Sequence, residues 1–247
     1  MDMALKTRFL DLWAKYFPNA ALPIAFYYTA NANAAEPAKI PQGHRCFLAQ
    51  LDVVRQGRPQ RFDASSIGCP GGRRYLGFTR TLRPNFEYFL SCGIPGELEG
   101  ERYKKSPELV RAFLQNVPDA EAPAPYIVFK RWDCLEPEDE PVAVFFYAAP
   151  DVLSGLFTLA NYDEVEREAV IAPFSAGCGA IVQYPRLEQA GDRPRAVIGM
   201  FDVSARPFVP RDTLSFAVPM KKFVRMIGDM DESFLITKSW EQVRARI

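Results

Sequence analysis

Two cysteines of this chain sit on glycine-rich turns of similar make-up. Cys69 heads Cys69-Pro70-Gly71-Gly72-Arg73-Arg74, and Cys178 stands in Ser175-Ala176-Gly177-Cys178-Gly179. Glycines behind a strand and at the start of a helix let the backbone approach a ligand closely, and the free N–H groups there favour an anion. A thiol in that setting is expected to be activated, the more so beside Arg73 and Arg74, and to serve as a nucleophile or a metal ligand. The ordinary alternative is a small structural side chain next to glycine.

A third thiol, Cys46, follows the single histidine, His44. Packed across the two turns, it would complete a three-thiolate metal or iron–sulfur site of Cys46, Cys69 and Cys178. No Cys-x-x-Cys occurs, and the spacing matches no ferredoxin or zinc pattern. Cys46 also lies on the apolar face of its segment, where a plain buried cysteine belongs. Cys92 and Cys134 read as structural. Gly71, Gly72, Arg73, Gly177 and Gly179 form the candidate cofactor or anion cradle. Asp202 and Arg206 follow a strand and suit either a polar ligand or an ion pair closing their own turn. Walker, Gly-x-Gly-x-x-Gly, Gly-x-Ser-x-Gly and His-Glu-x-x-His motifs are absent.

The bulk composition narrows the classes. The 247 residues suit one large domain, and 48% hydrophobic residues supply a sizeable core. Thirty basic residues balance thirty acidic ones, which argues against a nucleic-acid binder and leaves little charge to oppose a homo-oligomer. No apolar stretch reaches the length of a membrane span, and the first residues lack a secretory pattern. An odd number of cysteines, five, fits free thiols in a reducing cytoplasm better than a disulfide framework. One histidine excludes histidine-rich zinc sites and most histidine relays, unless His44 itself takes part.

Residue spacing predicts an opening helix over 4–17, a buried strand over 22–29 and a loop over 31–42. A helix follows over 44–56, with Gly57 as its C-cap, then a brief strand at 61–63. Ser106-Pro107 starts a helix to about 116. Strands are expected at 126–132, 142–148, 196–201 and 213–218. Helices are expected at 150–161 and 220–230, with a further helical turn over 165–169. A capping box at Ser239 opens the last helix. The alternation predicts an α/β or α+β fold, a mixed sheet with flanking helices, in a single domain over 1–247. The proline-opened runs at Pro23 and Pro141, each leading to Ser-x-Gly-Cys, suggest two similar β-α halves over about 20–116 and 126–220. Unrelated β-α units of one sheet would look alike in the same way.

Several motifs occur together: Cys-Pro-Gly-Gly-Arg-Arg-Tyr-Leu-Gly-Phe at 69–78, Gly-Glu-Arg-Tyr-Lys-Lys-Ser-Pro-Glu-Leu-Val at 100–110, and Leu-Ser-Gly-Leu-Phe-Thr-Leu-Ala-Asn-Tyr at 153–162. Gly177-Cys178 and Gly-Met-Phe-Asp-Val-Ser-Ala-Arg-Pro at 199–207 complete the set. Over roughly residues 20–240 the chain resembles domain-of-unknown-function family 169, uncharacterised proteins of anaerobic bacteria and archaea. The resemblance implies a cytoplasmic, reducing setting and carries over no catalytic residue.

Three functions fit these residues. One is a pocket that binds a thiolate-ligated metal, an iron–sulfur centre or another redox cofactor. A second is a metal-free redox or nucleophilic thiol at Cys69, exchanging with Cys178. The third is a non-catalytic module for a small anionic ligand or an oligomeric partner.

Overall fold

The two proline-opened runs become neighbouring strands at the middle of one sheet, β1 (Ile24–Thr29) and β5 (Ala143–Ala148). Both are apolar almost throughout because helices cover both faces of the sheet there. Residues of β5 alternate accordingly: Ala143 and Phe145 enter one core, Val144, Phe146 and Ala148 the other. The computed structural model describes residues 1–247.

Six more strands complete the sheet: β2 (Glu36–Pro37), β3 (Gln60–Phe62), β4 (Tyr126–Arg131), β6 (Val170–Ile171), β7 (Ala196–Gly199) and β8 (Leu214–Pro219). Their order is β2-β3-β4-β1-β5-β8-β7-β6. The helices in chain order are α1 (Met3–Tyr16), α2 (Phe47–Gln50), α3 (Asp52–Arg55), α4 (Pro70–Tyr75), α5 (Phe86–Phe89) and α6 (Pro107–Gln115). They continue with α7 (Pro150–Ala160), α8 (Tyr184–Ala190), α9 (Met220–Asp229) and α10 (Lys238–Arg244). The class is α+β, a mixed sheet with flanking helices.

The pairing is approximately twofold symmetric. β1 meets β5 antiparallel through Ile24–Phe145, Ala25–Val144 and Phe26–Ala143, a set that maps onto itself when the strands are exchanged. β4 joins β1 from Ile24–Arg131 to Thr29–Tyr126, and β8 joins β5 from Ala143–Pro219 to Ala148–Leu214. Both β3–β4 and β7–β8 are antiparallel, while the outermost β2 and β6 run parallel to β3 and β7. The axis passes through the Ala25–Val144 pair, with β1–β4 on one side and β5–β8 on the other. Phe26 and Tyr28 correspond to Phe145 and Tyr147. Halves drawn at 20–116 and 126–220 would put β4 with the second half; its pairing puts it with the first.

This correspondence reassigns the cysteines. Cys178 lies in the β6–β7 connection, and its counterpart, the β2–β3 connection, holds Cys46. Cys69 lies in the β3–β4 connection, which matches the β7–β8 connection carrying Asp202. The echo between Cys69 and Cys178 is therefore a likeness of local turn chemistry and not of position in the fold.

One face of the sheet is covered by α1, α7, α9 and α10 around Phe9, Trp13, Phe17, Trp132, Phe146, Phe223 and Trp240. Trp13 stacks on Phe17 with ring centroids 4.4 Å apart, and the Trp240 indole N–H donates to the Tyr16 carbonyl at 3.0 Å. Gly155 of α7 sits under these rings; a methyl there would run into Trp240 and stand 2.7 Å from Phe17. Gly155→Ala should cost about 1–3 kcal/mol by overpacking despite alanine's better helix propensity, read as a lower urea midpoint. The opposite face carries α2, α3, α4 and α8 on Phe26, Phe47, Phe62, Phe129 and Phe145.

Some local expectations fail for identifiable reasons. Residues 165–169 form no helix. Instead, residues 177–190 are helical, with a π turn over Gly179–Gln183 running into α8, and Gly177, Gly179 and Pro185 disguise the helix. Pro185 falls inside this continuous helical run, directly after the π turn, where its missing N–H interrupts the regular backbone ladder. The segment 44–56 is broken at Leu51 into α2 and α3. Thr237, not Ser239, caps the last helix, accepting the Trp240 N–H at 3.4 Å.

Candidate functional site

Each of the three singled-out cysteines lies at a helix start, Cys46 and Cys69 just outside it and Cys178 one residue inside it, after Gly177. Cys46 precedes α2, Cys69 precedes α4, and Cys178 precedes the π turn leading into α8. The three starts pack on one another. A Cβ on Gly72 of α4 would lie 3.0 Å from Phe47 of α2, and one on Gly177 would lie 2.8 Å from Leu48 of α2. One on Gly179 would meet the Tyr75 ring of α4 at 2.9 Å. These glycines are therefore used by protein neighbours, which explains their presence without a ligand. Gly71 differs: it is exposed, with open space where a side chain would go.

Cys69 is distinguished among the thiols. Its sulfur accepts the Gly72 N–H at 3.2 Å, whereas the sulfurs of Cys46 and Cys178 cap no helix. Cys69 and Cys178 are 9% and 7% exposed, and Cys46 is half-buried. Burial pushes the Cys178 thiol well above the ordinary cysteine value, with further rises from the charges of Cys69, Cys46 and Asp202. Cys46 is raised as well, by burial first and then by Cys69 and Asp202 among its charged neighbours. Cys69 is thus the strongest thiol neighbour of both others. The expectation that both glycine turns activate their thiols fails at Cys178, where burial outweighs the helix start. Alkylation of Cys178 by iodoacetamide should accordingly be slow at neutral pH and rise only above the usual thiol range, as followed by peptide mass against pH.

The arginines after Cys69 do not reach its sulfur by a hydrogen bond; the Arg74 guanidinium donates to the Arg80 carbonyl at 2.5 Å. Asp202 and Arg206 form no ion pair with each other. Asp202 accepts from Ser204 Oγ at 2.8 Å, from the Ser204 N–H at 3.1 Å, and from the Gly177 N–H at 3.4 Å. Arg206 donates to the carbonyls of Thr213 at 2.6 Å and Arg211 at 2.5 Å, closing its own loop. Asp202 therefore belongs to the thiol cluster and Arg206 does not. Met200, just ahead of Asp202, is 1% exposed and has φ +70°, a strained value for an unbranched residue with a Cβ. His44 is exposed.

Two polar supports escaped sequence reasoning. Gln50 is buried on α2; its Nε2 donates to the Ser66 carbonyl at 2.8 Å, and its Oε1 accepts the Gly68 N–H at 2.9 Å. It clamps the Cys69 turn onto α2, and its signal was a glutamine on an otherwise apolar face. Tyr103 reaches across from the segment before α6, its hydroxyl accepting the Ser204 N–H at 3.0 Å. Nothing in its local sequence marks that long-range contact.

No three histidine, cysteine, aspartate or glutamate side chains converge closely enough to hold a metal ion, the Cys46, Cys69 and Cys178 set included. A cavity of about 390 Å³ lies elsewhere, between Glu164, Glu168, Glu188, Arg193 and Arg195. Its Glu164 and Glu188 are committed to ion pairs with Lys222, Arg193 and Arg195. No helix is long and apolar enough to cross a membrane.

The family model described as uncharacterised ArCR matches residues 20–229, which takes in the whole sheet and all three helix-starting cysteines. The chain belongs to domain-of-unknown-function family 169. No curated protein and no solved structure matches it. The family description assigns no reaction, so the thiol cluster has to be judged on its own chemistry.

Proposed function

We propose that the protein works through a metal-free redox thiol, Cys69, with Cys178 as its resolving partner. The observation that carries this reading is the packing of three cysteine-bearing helix starts on one another, with Cys69 the strongest thiol neighbour of the other two. The Gly72 N–H fixes the Cys69 sulfur at the head of α4. Burial first, and a charge on Cys69 next, push the Cys178 thiol up, so Cys178 is suited to the second step rather than the first. In the step envisaged, the Cys69 thiolate attacks a disulfide substrate and expels one thiolate. Cys178 then loses its proton, attacks the Cys69 sulfur of the mixed disulfide and releases the second thiol. The substrate gains two electrons and two protons, and the chain gains one Cys69–Cys178 disulfide. Blocking the Cys69 charge in the mixed disulfide removes part of the repulsion that keeps Cys178 a thiol.

A thiolate-ligated metal or iron–sulfur centre is the second reading. It is favoured by the gathering of three thiols and Asp202, whose mutual repulsion a cation would reverse. It requires the three helix starts to close further, since the side chains do not stand at metal-holding spacing. One preparation separates the readings. Protein purified without oxygen is analysed for iron, zinc and sulfide, then oxidised with a small disulfide and mapped by peptide mass. The redox reading expects metal-free protein that gains a Cys69–Cys178 link. Stoichiometric metal lost on Cys69→Ser would replace it with the second reading, and neither link nor metal would end both.

A further inference from the structure

Two segments of distinctive sequence, 100–110 and 199–207, meet through side chains next to the Cys178 turn. The backbone of the first is pinned within its own connection between β3 and β4. The N–H groups of Glu101, Arg102 and Lys104 donate to the carbonyls of Phe89, Ser91 and Leu90 at 2.7, 3.0 and 3.1 Å. Arg102 takes φ +56°, in the left-handed region, and turns the chain between those bonds. From this base two side chains cross to the second half of the chain. The Tyr103 hydroxyl accepts the Ser204 N–H at 3.0 Å and stands 3.5 Å from Asp202 Oδ1. Lys104 Nζ lies 4.0 Å from the ring centre of Phe174 and 4.5 Å from that of Phe113, and the two rings meet edge to face at 5.8 Å. Both attachment points adjoin the Cys178 turn. Phe174 leads directly into it at Ser175, and the Asp202 carboxylate accepts the Gly177 N–H at 3.4 Å.

We infer that residues 101–105 form a clasp that closes the Cys178 side of the thiol centre and opens to admit the molecule that reacts there. The inference rests on the thiol reading above and names how that site is regulated. A disulfide substrate must bring one of its sulfurs into line with the attacking thiolate. Cys69 and Cys178 are only 9% and 7% exposed, so a covering element has to move first. Most of what surrounds them is locked. α2, α4 and the helix that begins at Gly177 meet through Gly72, Gly177 and Gly179, where a methyl would already collide. Gln50 adds two hydrogen bonds from a buried side chain. The clasp is held differently. No backbone–backbone hydrogen bond joins residues 101–105 to the second half of the chain. Its polar hold there is the Tyr103 hydroxyl on an exposed Ser204 and the Lys104 ammonium on a ring that is 54% exposed. Contacts of this kind, within reach of water, are weak enough to break and re-form in the native state.

The test is the rate at which iodoacetamide alkylates Cys178 in the full reduced chain, at one alkaline pH, with the site read by peptide mass. While the clasp recloses faster than the reagent reacts, that rate follows the open fraction. Tyr103→Phe removes the acceptor of the Ser204 N–H and should raise the rate about fivefold, the effect of one ordinary hydrogen bond. Lys104→Gln should raise it about threefold. The sign of this second change is decisive, because loss of a cation near a thiol would by charge alone hold back its ionisation and lower the rate. It also keeps the test sharp if Tyr103→Phe folds poorly. Cys134, half-buried just after β4, should keep its rate in both variants. A Cys178 rate unchanged or lowered in both variants overturns the clasp, and so does equal acceleration of Cys134, which marks general loosening. Each variant is then oxidised and mapped. A Cys69–Cys178 link formed beside unchanged Cys178 rates leaves the thiol reading standing without the clasp. Faster Cys178 alkylation with no such link upholds the clasp and ends the thiol reading.

Discussion

Replacing Cys69 with serine should abolish oxidation-dependent linkage of the chain while leaving the fold intact. Serine is a preferred N-cap, so α4 keeps its start and the Gly72 N–H keeps an acceptor. Stability in urea should change by less than about 1 kcal/mol, within the range of a cap exchange. The thiol chemistry should change completely. Mild oxidation of the variant should yield no disulfide involving Cys178, whereas the natural chain yields one linked to Cys69. Cys178 itself should become easier to alkylate at a given alkaline pH, because the Cys69 charge that helps hold its proton is gone. Cys92→Ser serves as the comparison: Cys92 is exposed and distant in role, and its replacement should alter neither result. Mapping by peptide mass reads both outcomes in one experiment.

The second large effect is on stability. Lys222 of α9 is fully buried, and its Nζ is held by Glu164 at 2.8 Å, with Asp163 at 3.9 Å. Glu164, 9% exposed at its side chain, also accepts from Arg225 at 3.0 Å and Arg193 at 3.2 Å. Glu164→Ala leaves the Lys222 ammonium buried with one distant carboxylate, and should cost about 3 kcal/mol. The double change Glu164→Leu with Lys222→Met should recover most of that loss, since it removes the charge that was stranded. Denaturant midpoints at neutral pH measure both. The natural chain should show the linked pH dependence. The hydrogen bond from Lys222, first among the causes, holds the Glu164 carboxyl below its ordinary value of 4.5. A carboxyl lowered by folding contributes stability above its unfolded pKa and loses that contribution as pH falls through its folded pKa. Acid unfolding should therefore begin below about pH 4.5, and Glu164→Ala should flatten that limb of the curve.

Strand positions were the most legible part of the sequence. β1, β4, β5 and β8 are six-residue strands made mostly of apolar and aromatic residues, and each was readable from its own residues. β2 and β6 were not, because a two-residue strand carries no pattern of its own and forms only where a neighbour is already in place. The helix after Cys178 was hidden by the glycines that let its start lie against α2 and α4, so the feature that builds the site also masked the element. The same holds for the cysteine correspondence. Local chemistry paired Cys69 with Cys178, whereas strand pairing, which depends on contacts distant in sequence, pairs Cys46 with Cys178. Asp202 was found through its position after a strand. Tyr103 was not, since it acts across about a hundred residues.

The central claim is that the helix-starting thiols form one centre around Cys69. Phenylarsine oxide bridges two thiols only when both sulfurs can reach one arsenic atom, and so tests that claim without assuming a substrate or a metal. With reduced protein, one equivalent should bind and should protect Cys69 together with Cys178 or Cys46 from alkylation. Cys69→Ser should remove that binding, and Cys92→Ser should not. Protection that leaves Cys69 open, or no stoichiometric binding to the folded natural chain, would contradict a shared thiol centre.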